Sequence, residues 1–347
     1  MKDLKDIKKT IDSANINFLF GAGLSKPFLE SLNNIETALA KAEKEKNDVE
    51  IQKLRKEYFE KSMLGNLKIV AETVDKNKDE VLQNYEDFYR RINYVVLKRE
   101  SSILTKQVNI FTTNIDIFSE KALENTGIDF NDGFHGRFNP KYDVGNFKKS
   151  YFKKSLHYEN TSEIPVFNIL KLHGSLSWRE KGKEIYLDSV LDQVKEVEDN
   201  KNTSKFGDCF KKLMVVNPTE QKFADTLLNQ RYYDLLRIFS NELEKENTAL
   251  FVMGFSFMDA HIYDLTLRAA NSNPTLKIYV FSHSAPPSKV YLELEETAKN
   301  KNIKILIPED GKSYDLQNIT SDLFDKLVPL KETGSTGDEN ITPLQKS

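Results

Sequence analysis

One histidine and one asparagine are the residues of this sequence best suited to chemistry. His173 follows one apolar run of the chain, and Asn114 and Asp116 follow another. Imidazole is the side chain whose unperturbed pKa lies nearest neutrality, so His173 is a candidate general base. An asparagine in such a position can hold a hydroxyl group of a ligand or position a water molecule. These residue types make His173 and Asn114 candidates for a catalytic site, with Asp116 beside Asn114.

A glycine turn near the start of the chain is the second chemical feature. Residues 17–25 read Asn-Phe-Leu-Phe-Gly-Ala-Gly-Leu-Ser, an apolar run that ends at two glycines separated by one small residue. This pattern predicts a strand, a tight turn and a helix start, where backbone N–H groups converge on a phosphate. Gly21 and Gly23 allow a close approach, and Ala22 is small for the same reason. A lone Gly-x-Gly also fits an ordinary turn between a strand and a helix.

These polar segments share one position relative to the predicted strands. A fourth segment, with Gly254 and Ser256, also follows an apolar run. In open parallel α/β sheets ligands bind at the carboxyl ends of the strands, so we expect the four segments to meet over one crevice. Two alternatives stay open at this point. Asn114 and Asp116 could instead cap a helix that begins near Ile117, and His173 could be a hydrogen-bonded turn residue.

The order of the predicted elements indicates the fold that would position these groups. Apolar runs of strand length alternate with helical patterns, which is typical of a doubly wound parallel sheet and an α/β, Rossmann-like fold. Strands are predicted at residues 17–20, 108–111, 166–172, 213–216, 250–254, 277–281 and 303–307. Residues 1–330 would form one domain, with a helical insertion at about 29–97 and a charged insertion at about 180–212. The tail, residues 331–347, lacks apolar periodicity and is expected to be disordered.

The four segments, in this order, resemble the sirtuin (silent information regulator two) family. The shared features are a Gly-Ala-Gly-x-Ser turn, Thr-x-Asn-x-Asp, Leu-His-Gly-Ser and a late Gly-x-Ser, and they run from about Phe18 to His283. The resemblance implies a sirtuin-type Rossmann-like fold and NAD as the ligand. The residues it implies for NAD binding are Gly21, Ala22, Gly23, Ser25, Thr113, Gly254, Ser256, Asp259 and His261. Asp259 is also a good helix N-cap, and His261 is a secondary candidate.

The chain departs from the sirtuin deacylases in two places. Lys26-Pro27-Phe28 stands where those enzymes carry Gly-Ile-Pro-Asp-Phe-Arg, and one cysteine, Cys209, replaces their four-cysteine zinc module. His135, His157 and His283 have no partner at metal-ligand spacing, so no metal is expected. Without the zinc module and that segment, the platform for an acyl-lysine peptide is missing, and water becomes the expected acceptor.

The resemblance therefore implies an NAD+ glycohydrolase that cleaves NAD+ to nicotinamide and ADP-ribose. The Gly-Phe-Ser-x-x-Asp-x-His run is similar to that of sirtuin-like effectors of bacterial antiphage defence, which deplete NAD. One alternative is a non-catalytic sensor of NAD or of an ADP-ribose derivative in a defence complex. Further alternatives are an NAD-dependent protein deacylase and an ADP-ribosyltransferase.

Composition and charge bear on location and partners. The net charge of −3 is not the basic footprint of a dedicated nucleic-acid binder, so direct nucleic-acid binding is not expected. Residues 139–158 mix lysines with aromatic residues, which predicts a surface hairpin with solvated lysines, although such a mixture can also bind single-stranded nucleic acid. No segment resembles a signal peptide or approaches the ~20 apolar residues of a membrane span, so we expect a cytoplasmic protein.

Control of the activity must also be explained, because a cytosolic NADase would damage its own cell. The recognisable sheet ends near Ile307 and leaves no room for a sensor domain, so we expect regulation by homo-oligomerisation and by a separate partner. A HerA-type ATPase or another phage-sensing protein would fit. The candidate contact surfaces are residues 29–97 and the amphipathic segment that contains Ile7 and Ile11. The alternative is that both pack within the chain.

Overall fold

The structure, a computed structural model, describes residues 2–30, 33–99, 103–154, 156, 160–216 and 227–327. The predicted tail at 331–347 and His157 lie outside the described residues. The described helices are α1 Lys2–Ser13, α2 Asn33–Lys44, α3 Asp48–Tyr58, α4 Asn66–Val70, α5 Lys76–Leu97, α6 Phe118–Thr126, α7 Asp192–Asp199, α8 Phe206–Lys211, α9 Leu227–Glu244, α10 Ala260–Ser272, α11 Lys289–Thr297, α12 Leu316–Ile319 and α13 Asp325–Leu327. The described strands are β1 Asn15–Phe20, β2 Gln107–Thr112, β3 Phe130–Asn131, β4 Phe134–His135, β5 Lys141–Tyr142, β6 Phe152–Lys154, β7 Thr161–Glu163, β8 Val166–Lys171, β9 Trp178–Lys181, β10 Glu184–Leu187, β11 Thr248–Met253, β12 Lys277–Phe281 and β13 Ile303–Leu306.

A parallel sheet of seven strands organises these elements, in the order β13-β12-β11-β1-β2-β8-β3. Every strand pair in this sheet is parallel. All residues of β8 and β11 are buried, as expected for strands covered by helices on both faces. The predicted doubly wound parallel sheet is therefore confirmed.

The direction of winding changes between two neighbouring strands, β1 and β11. The chain proceeds from β1 toward β2 on one side and from β11 toward β12 on the other. A crevice opens at the carboxyl end of the sheet where the winding reverses, and ligands of such folds bind there. The glycine turn follows β1 and Gly254 follows β11, so both lie at this point.

The predicted strand at 213–216 is wrong. This segment makes one antiparallel bridge, between Val215 and Gly174, and does not join the seven-stranded sheet. The Val216 N–H donates to the His173 carbonyl at 2.8 Å, so the segment packs on the loop that follows β8. An apolar run of four residues does not reveal which backbone it will pair with.

The helical insertion at 29–97 is present as α2 to α5, and α5 lies in the main core. Tyr85, Phe88 and Tyr89 on α5 are fully buried, and Phe88 packs edge-on against Phe18 of β1 with ring centroids 5.1 Å apart. The apolar stripe of α5 is therefore covered within the chain. Helices α2 and α3 pack on each other through a separate small cluster of Leu39, Ala42, Ile51 and Leu54.

The amphipathic segment α1 is also packed within the chain. Ile7 and Ile11 are buried, and the guanidinium of Arg99 donates to the carbonyls of Ile11 and Ala14 at the end of the helix. The alternative of intramolecular packing therefore holds for the apolar stripes of α1 and α5. These stripes are not available to a partner.

A second, antiparallel sheet has the strand order β4-β5-β10-β9. Trp178 is buried in it with its ring centroid 4.7 Å from that of Tyr142, so the tryptophan anchors this sheet. In the described part of the chain, no group of three or more His, Cys, Asp or Glu residues could hold a metal ion. No helix there is long and apolar enough to cross a membrane.

The surface hairpin predicted at residues 139–158 is present only in part, because Tyr142 belongs to the second sheet and Phe147 is buried, while the observed hairpin pairs β6 with β7, which lies outside that range. Strands β6 and β7 pair antiparallel with each other, and every residue of β6 is exposed. Lys153 and Lys154 are therefore solvated, as expected from the alternation of lysines and aromatic residues.

Candidate active site

The polar residues that follow β1, β2, β8 and β11 line one cavity of about 560 Å³. Ligand pockets of proteins have volumes of a few hundred to about 1,000 Å³, so the cavity suits a nucleotide-sized ligand. The predicted site residues that line it are Ala22, Gly23, Ser25, Thr113, Asn114, Asp116, His173, Gly254, Ser256 and Asp259. Gly21 lies beneath the lining, and the His261 side chain is exposed outside it.

The glycine turn packs directly on the turn that follows β11. The N–H of Gly21 donates to the Met253 carbonyl and that of Gly23 to the Gly254 carbonyl, both at 3.0 Å. A Cβ placed on Gly21 would lie 2.4 Å from the Gly254 oxygen and 2.5 Å from the Phe255 Cα. Gly21 is therefore required by the contact between two turns. Its N–H and that of Gly23 bond to backbone carbonyls of the protein.

The helix predicted to start after the glycine turn is a short 3-10 helix and not an α-helix. Residues Ala22–Ser25 form a short 3-10 helix that ends at Lys26, whose backbone is extended. Proline disfavours helical backbone in the residue before it, and Pro27 therefore stops the turn from continuing as an α-helix. A helix of four residues adds little dipole, so the favourable field that the sequence predicted for an anion is weak here.

Asn114 and Asp116 belong to a buried network beneath the cavity. Asn114 Nδ2 donates to the Gly21 carbonyl at 3.2 Å, and Ser25 Oγ donates to Asp116 Oδ2 at 2.7 Å. The hydroxyl of Tyr85 on α5 lies 3.3 Å from Ser25 Oγ. Burial raises the pKa of Tyr85 well above its usual value, so it stays a neutral hydroxyl. The glycine turn, the loop after β2 and α5 are thus joined by hydrogen bonds.

The helix-capping alternative for this loop holds only for Asp116. Its Oδ1 accepts from the Phe118 N–H at 3.2 Å, at the start of α6, while its Oδ2 binds Ser25. Asn114 does not cap α6. Its own N–H donates to Thr112 Oγ1 at 3.0 Å. Asp116 therefore has both a local role and a role in the network.

One atom of this network has no partner. Asn114 Oδ1 is buried at the cavity and accepts no hydrogen bond in the described structure. Buried polar atoms are nearly always hydrogen-bonded, and an unpaired one needs an explanation. Since Asn114 lines the cavity, a hydroxyl group of a ligand would supply the missing donor.

Lys171 is a residue of the site that the sequence reasoning missed. It is 3% exposed at the end of β8, and its ammonium donates to the Asp116 carbonyl and, at 3.4 Å, to the Asn114 carbonyl. It also pairs with Glu120 at 3.1 Å, and burial raises the pKa of Glu120. Lys171 thus holds the backbone of the Asn114–Asp116 loop. A lysine at the end of a fully buried strand was the available signal.

His173 and Asp259 form a second pair that the sequence reasoning missed. His173 Nε2 lies 2.9 Å from Asp259 Oδ2, although 86 residues separate them in the chain. The predicted N-cap role of Asp259 is confirmed, because its Oδ1 accepts from the N–H groups of His261 and Ile262 at 3.0 and 3.1 Å. His261 therefore contributes its backbone to the cap.

His173 also has the turn role that was left open. Its carbonyl accepts from the Val216 N–H at 2.8 Å, and Gly174 after it has a φ of +75°. Since its ring lines the cavity as well, the turn role and a role toward a ligand are compatible.

The fold and the position of the cavity define a Rossmann-like α/β protein whose site lies where the winding of the sheet reverses. Residues 108–306, more than half of the chain, match the family model described as "SIR2-like domain". The chain therefore belongs to the family of SIR2-like domains, which confirms the sirtuin resemblance. Membership supports an NAD-related function of the sirtuin type.

A solved structure described as "Structural Basis for the Mechanism and Regulation of Sir2 Enzymes" superposes with a TM-score of 0.46 and 14% sequence identity, over 94% of this chain and 98% of that one. No curated protein sequence matches this chain significantly.

Proposed function

We propose that this protein is an NAD+ glycohydrolase that cleaves NAD+ to nicotinamide and ADP-ribose. The observation that carries the proposal is the unpartnered Oδ1 of Asn114, which shares one cavity with the ring of His173. One group would accept a hydrogen bond from a hydroxyl of the substrate, and the other would accept a proton. A buried acceptor and a base in one cavity are what a hydrolytic site requires.

The residues at the cavity fit NAD+ as the substrate. Gly23 and Gly254 lie where the winding of the sheet reverses, the usual place of a dinucleotide in such folds. Ser256, at the same edge, is exposed and offers a hydroxyl to the phosphates or the adenine ribose. Thr113 and Asn114 would then face the nicotinamide ribose, with the Asn114 Oδ1 accepting from one of its hydroxyls.

Cleavage of the bond to nicotinamide needs little acid catalysis from the protein. Nicotinamide leaves as a neutral molecule, so the site has to stabilise an oxocarbenium-like ribose and admit a nucleophile, as in other glycosyl transfers. The carboxylates of Asp116 and Asp259 line the cavity and favour such a positive charge. His173 would take the proton of the attacking water as its oxygen bonds to the ribose carbon and the bond to nicotinamide breaks.

The choice of water as acceptor is supported by the sequence between β8 and α9. A peptide acceptor needs a binding platform, and sirtuin deacylases build theirs with a four-cysteine zinc module. This chain has a single cysteine, Cys209, which is buried. Between β8 and α9 the described chain instead forms strands β9 and β10 and helices α7 and α8. Water is then the acceptor that needs no dedicated platform.

We propose further that the enzyme depletes NAD in bacterial antiphage defence, and that homo-oligomerisation and a separate partner, such as a HerA-type ATPase or another phage-sensing protein, control it. Because the apolar stripes of α1 and α5 are buried, the contacts would use other surfaces. The hairpin of α2 and α3 has its own small core and exposes Val49 at its tip. It is therefore a candidate surface for such contacts.

The test follows the products of the full chain supplied with NAD+, alone and co-purified with the protein encoded beside it. Chromatography should show nicotinamide and ADP-ribose in equal amounts. In a parallel reaction, an acyl-lysine peptide should keep its acyl group. If NAD+ binds by calorimetry and no nicotinamide forms under either condition, the protein is a sensor. NAD-dependent loss of the acyl group would identify it as a deacylase.

A further inference from the structure

We propose that Asp259 is a positioning residue that fixes the orientation and the tautomer of the His173 ring, so that Nδ1 is the nitrogen that accepts a proton. The proposal rests on the proposed function, in which His173 is the general base. It assigns to Asp259 a task beyond capping a helix or lining a nucleotide pocket.

The carboxylate of Asp259 is held from two sides. Oδ1 accepts the N–H groups of His261 and Ile262 in the first turn of α10, and Oδ2 faces His173 Nε2 at 2.9 Å. Helix α10 has 13 residues, and Ile262 in its first turn is fully buried. Rotation of the carboxylate would break the helix cap, so its second oxygen is fixed in place toward the histidine.

The contact is a long-range one that capping alone does not require. His173 follows β8 and Asp259 follows β11, and in the sheet β1 and β2 lie between those two strands. The pair therefore joins loops from opposite sides of the cavity, across the ends of the two strands that carry the glycine turn and Asn114. Oδ1 accepts both N–H groups of the cap, whereas Oδ2 faces the histidine.

The contact decides which nitrogen of the ring is protonated. A carboxylate only accepts hydrogen bonds, so Nε2 must carry the hydrogen that points at Asp259. In the neutral ring Nδ1 then has the lone pair, and among the described residues none forms a hydrogen bond with it. A carboxylate that orients a catalytic imidazole in this way is known from the serine hydrolases. The base at this site is therefore Nδ1.

The substitution Asp259→Asn tests this with almost no change in shape. Asparagine is an equally good N-cap, so α10 should keep its first turn. The amide oxygen must stay on the N–H groups of α10, which turns the amide NH2 toward His173. An NH2 group donates, so Nε2 would have to accept and the hydrogen would move to Nδ1. The variant should fold normally with the wrong nitrogen protonated.

Nitrogen-15 NMR of protein labelled at histidine reports the tautomer directly. The chain has only five histidines, so the signals are few enough to assign. The signal of His173 is assigned by its loss in His173→Gln. In the neutral form of the ring the wild type should show a protonated Nε2 and an unprotonated Nδ1, and Asp259→Asn should show the reverse. Asp259→Ser keeps the cap with a side chain too short to reach the ring, and it should show a mixture of tautomers.

Kinetics supply the second measurement. Asp259→Asn should lower kcat for nicotinamide release by about 10²- to 10⁴-fold, the range for a base in the wrong tautomer, with little change in KM. Asp75→Asn is the matched control, since Asp75 caps α5 through the Lys78 N–H and does not line the cavity. It should leave kcat unchanged.

The two measurements separate this proposal from the proposed function. If His173 keeps its wild-type tautomer in Asp259→Asn, the positioning role is refuted, whether or not the protein turns over NAD+. It is equally refuted if the tautomer inverts and kcat stays at the wild-type value. If wild type releases no nicotinamide under any condition, the proposed function falls while the tautomer measurement still tests the pairing.

Discussion

Truncating Asn114 separates a role in the reaction from a role in folding. In Asn114→Ala the bond from Nδ2 to the Gly21 carbonyl at 3.2 Å is lost, but that carbonyl still accepts from the Leu24 N–H at 3.1 Å. The other contacts of Nδ2, to Ser25 and Tyr85, are long at 3.4 and 3.5 Å. One net hydrogen bond is worth about 1 kcal/mol, so we expect the free energy of unfolding to fall by about that amount.

The expected loss of activity is much larger. If Asn114 Oδ1 holds a ribose hydroxyl as positive charge develops on the ribose, its removal should lower kcat about 10²- to 10³-fold, as for other preorganised hydrogen-bonding groups. A domain with a typical stability of 5–15 kcal/mol stays folded after a loss of 1 kcal/mol, so unfolding would not explain the effect. Nicotinamide release and thermal unfolding, measured on the same preparation, give the two numbers.

Asn168 provides a matched control in the same sheet. It is 1% exposed on β8, its Oδ1 also lacks a partner, and its Nδ2 donates to Asn109 at 2.9 Å and to Gln107 at 3.2 Å. It does not line the cavity. Asn168→Ala should lower the stability at least as much as Asn114→Ala and leave kcat unchanged. Near wild-type turnover in Asn114→Ala, or an equal loss of turnover in both variants, would refute the reasoning.

Three further predictions follow from the site. His173→Ala should remove most nicotinamide release while the thermal unfolding temperature changes little, because the ring lies at the cavity; full turnover would exclude His173 as the base. Gly21→Ala should weaken NAD+ binding in calorimetry and lower the unfolding temperature, since its Cβ would meet the Gly254 oxygen at 2.4 Å. The control is Gly207→Ala, which should do neither, because its Cβ would meet only the flexible Gln52 amide. Chelator should neither inhibit nor unfold the protein, and no metal should co-purify in stoichiometric amount; a stoichiometric metal in elemental analysis would contradict this.

The sequence alone determined the fold class and the edge of the sheet where the site lies. Strands of a parallel sheet covered on both faces are continuous apolar runs, and these stand out in the chain, as at Lys277–Phe281, which was predicted with the bounds observed. Because all strands of such a sheet point one way, the polar residues after each run share one edge. The placing of Asn114, His173 and Gly254 around one cavity was therefore predictable from local sequence.

Only the tertiary structure decided which partner each of these residues has. His173 meets Asp259 across two intervening strands, and Gly21 meets Gly254, because the sheet order brings distant segments together. The short apolar segment at 213–216 fits a strand equally well, yet it packs on the loop after β8. Local sequence shows which residues are apolar or polar. It does not show the contacts between distant segments, because these depend on how the whole chain packs.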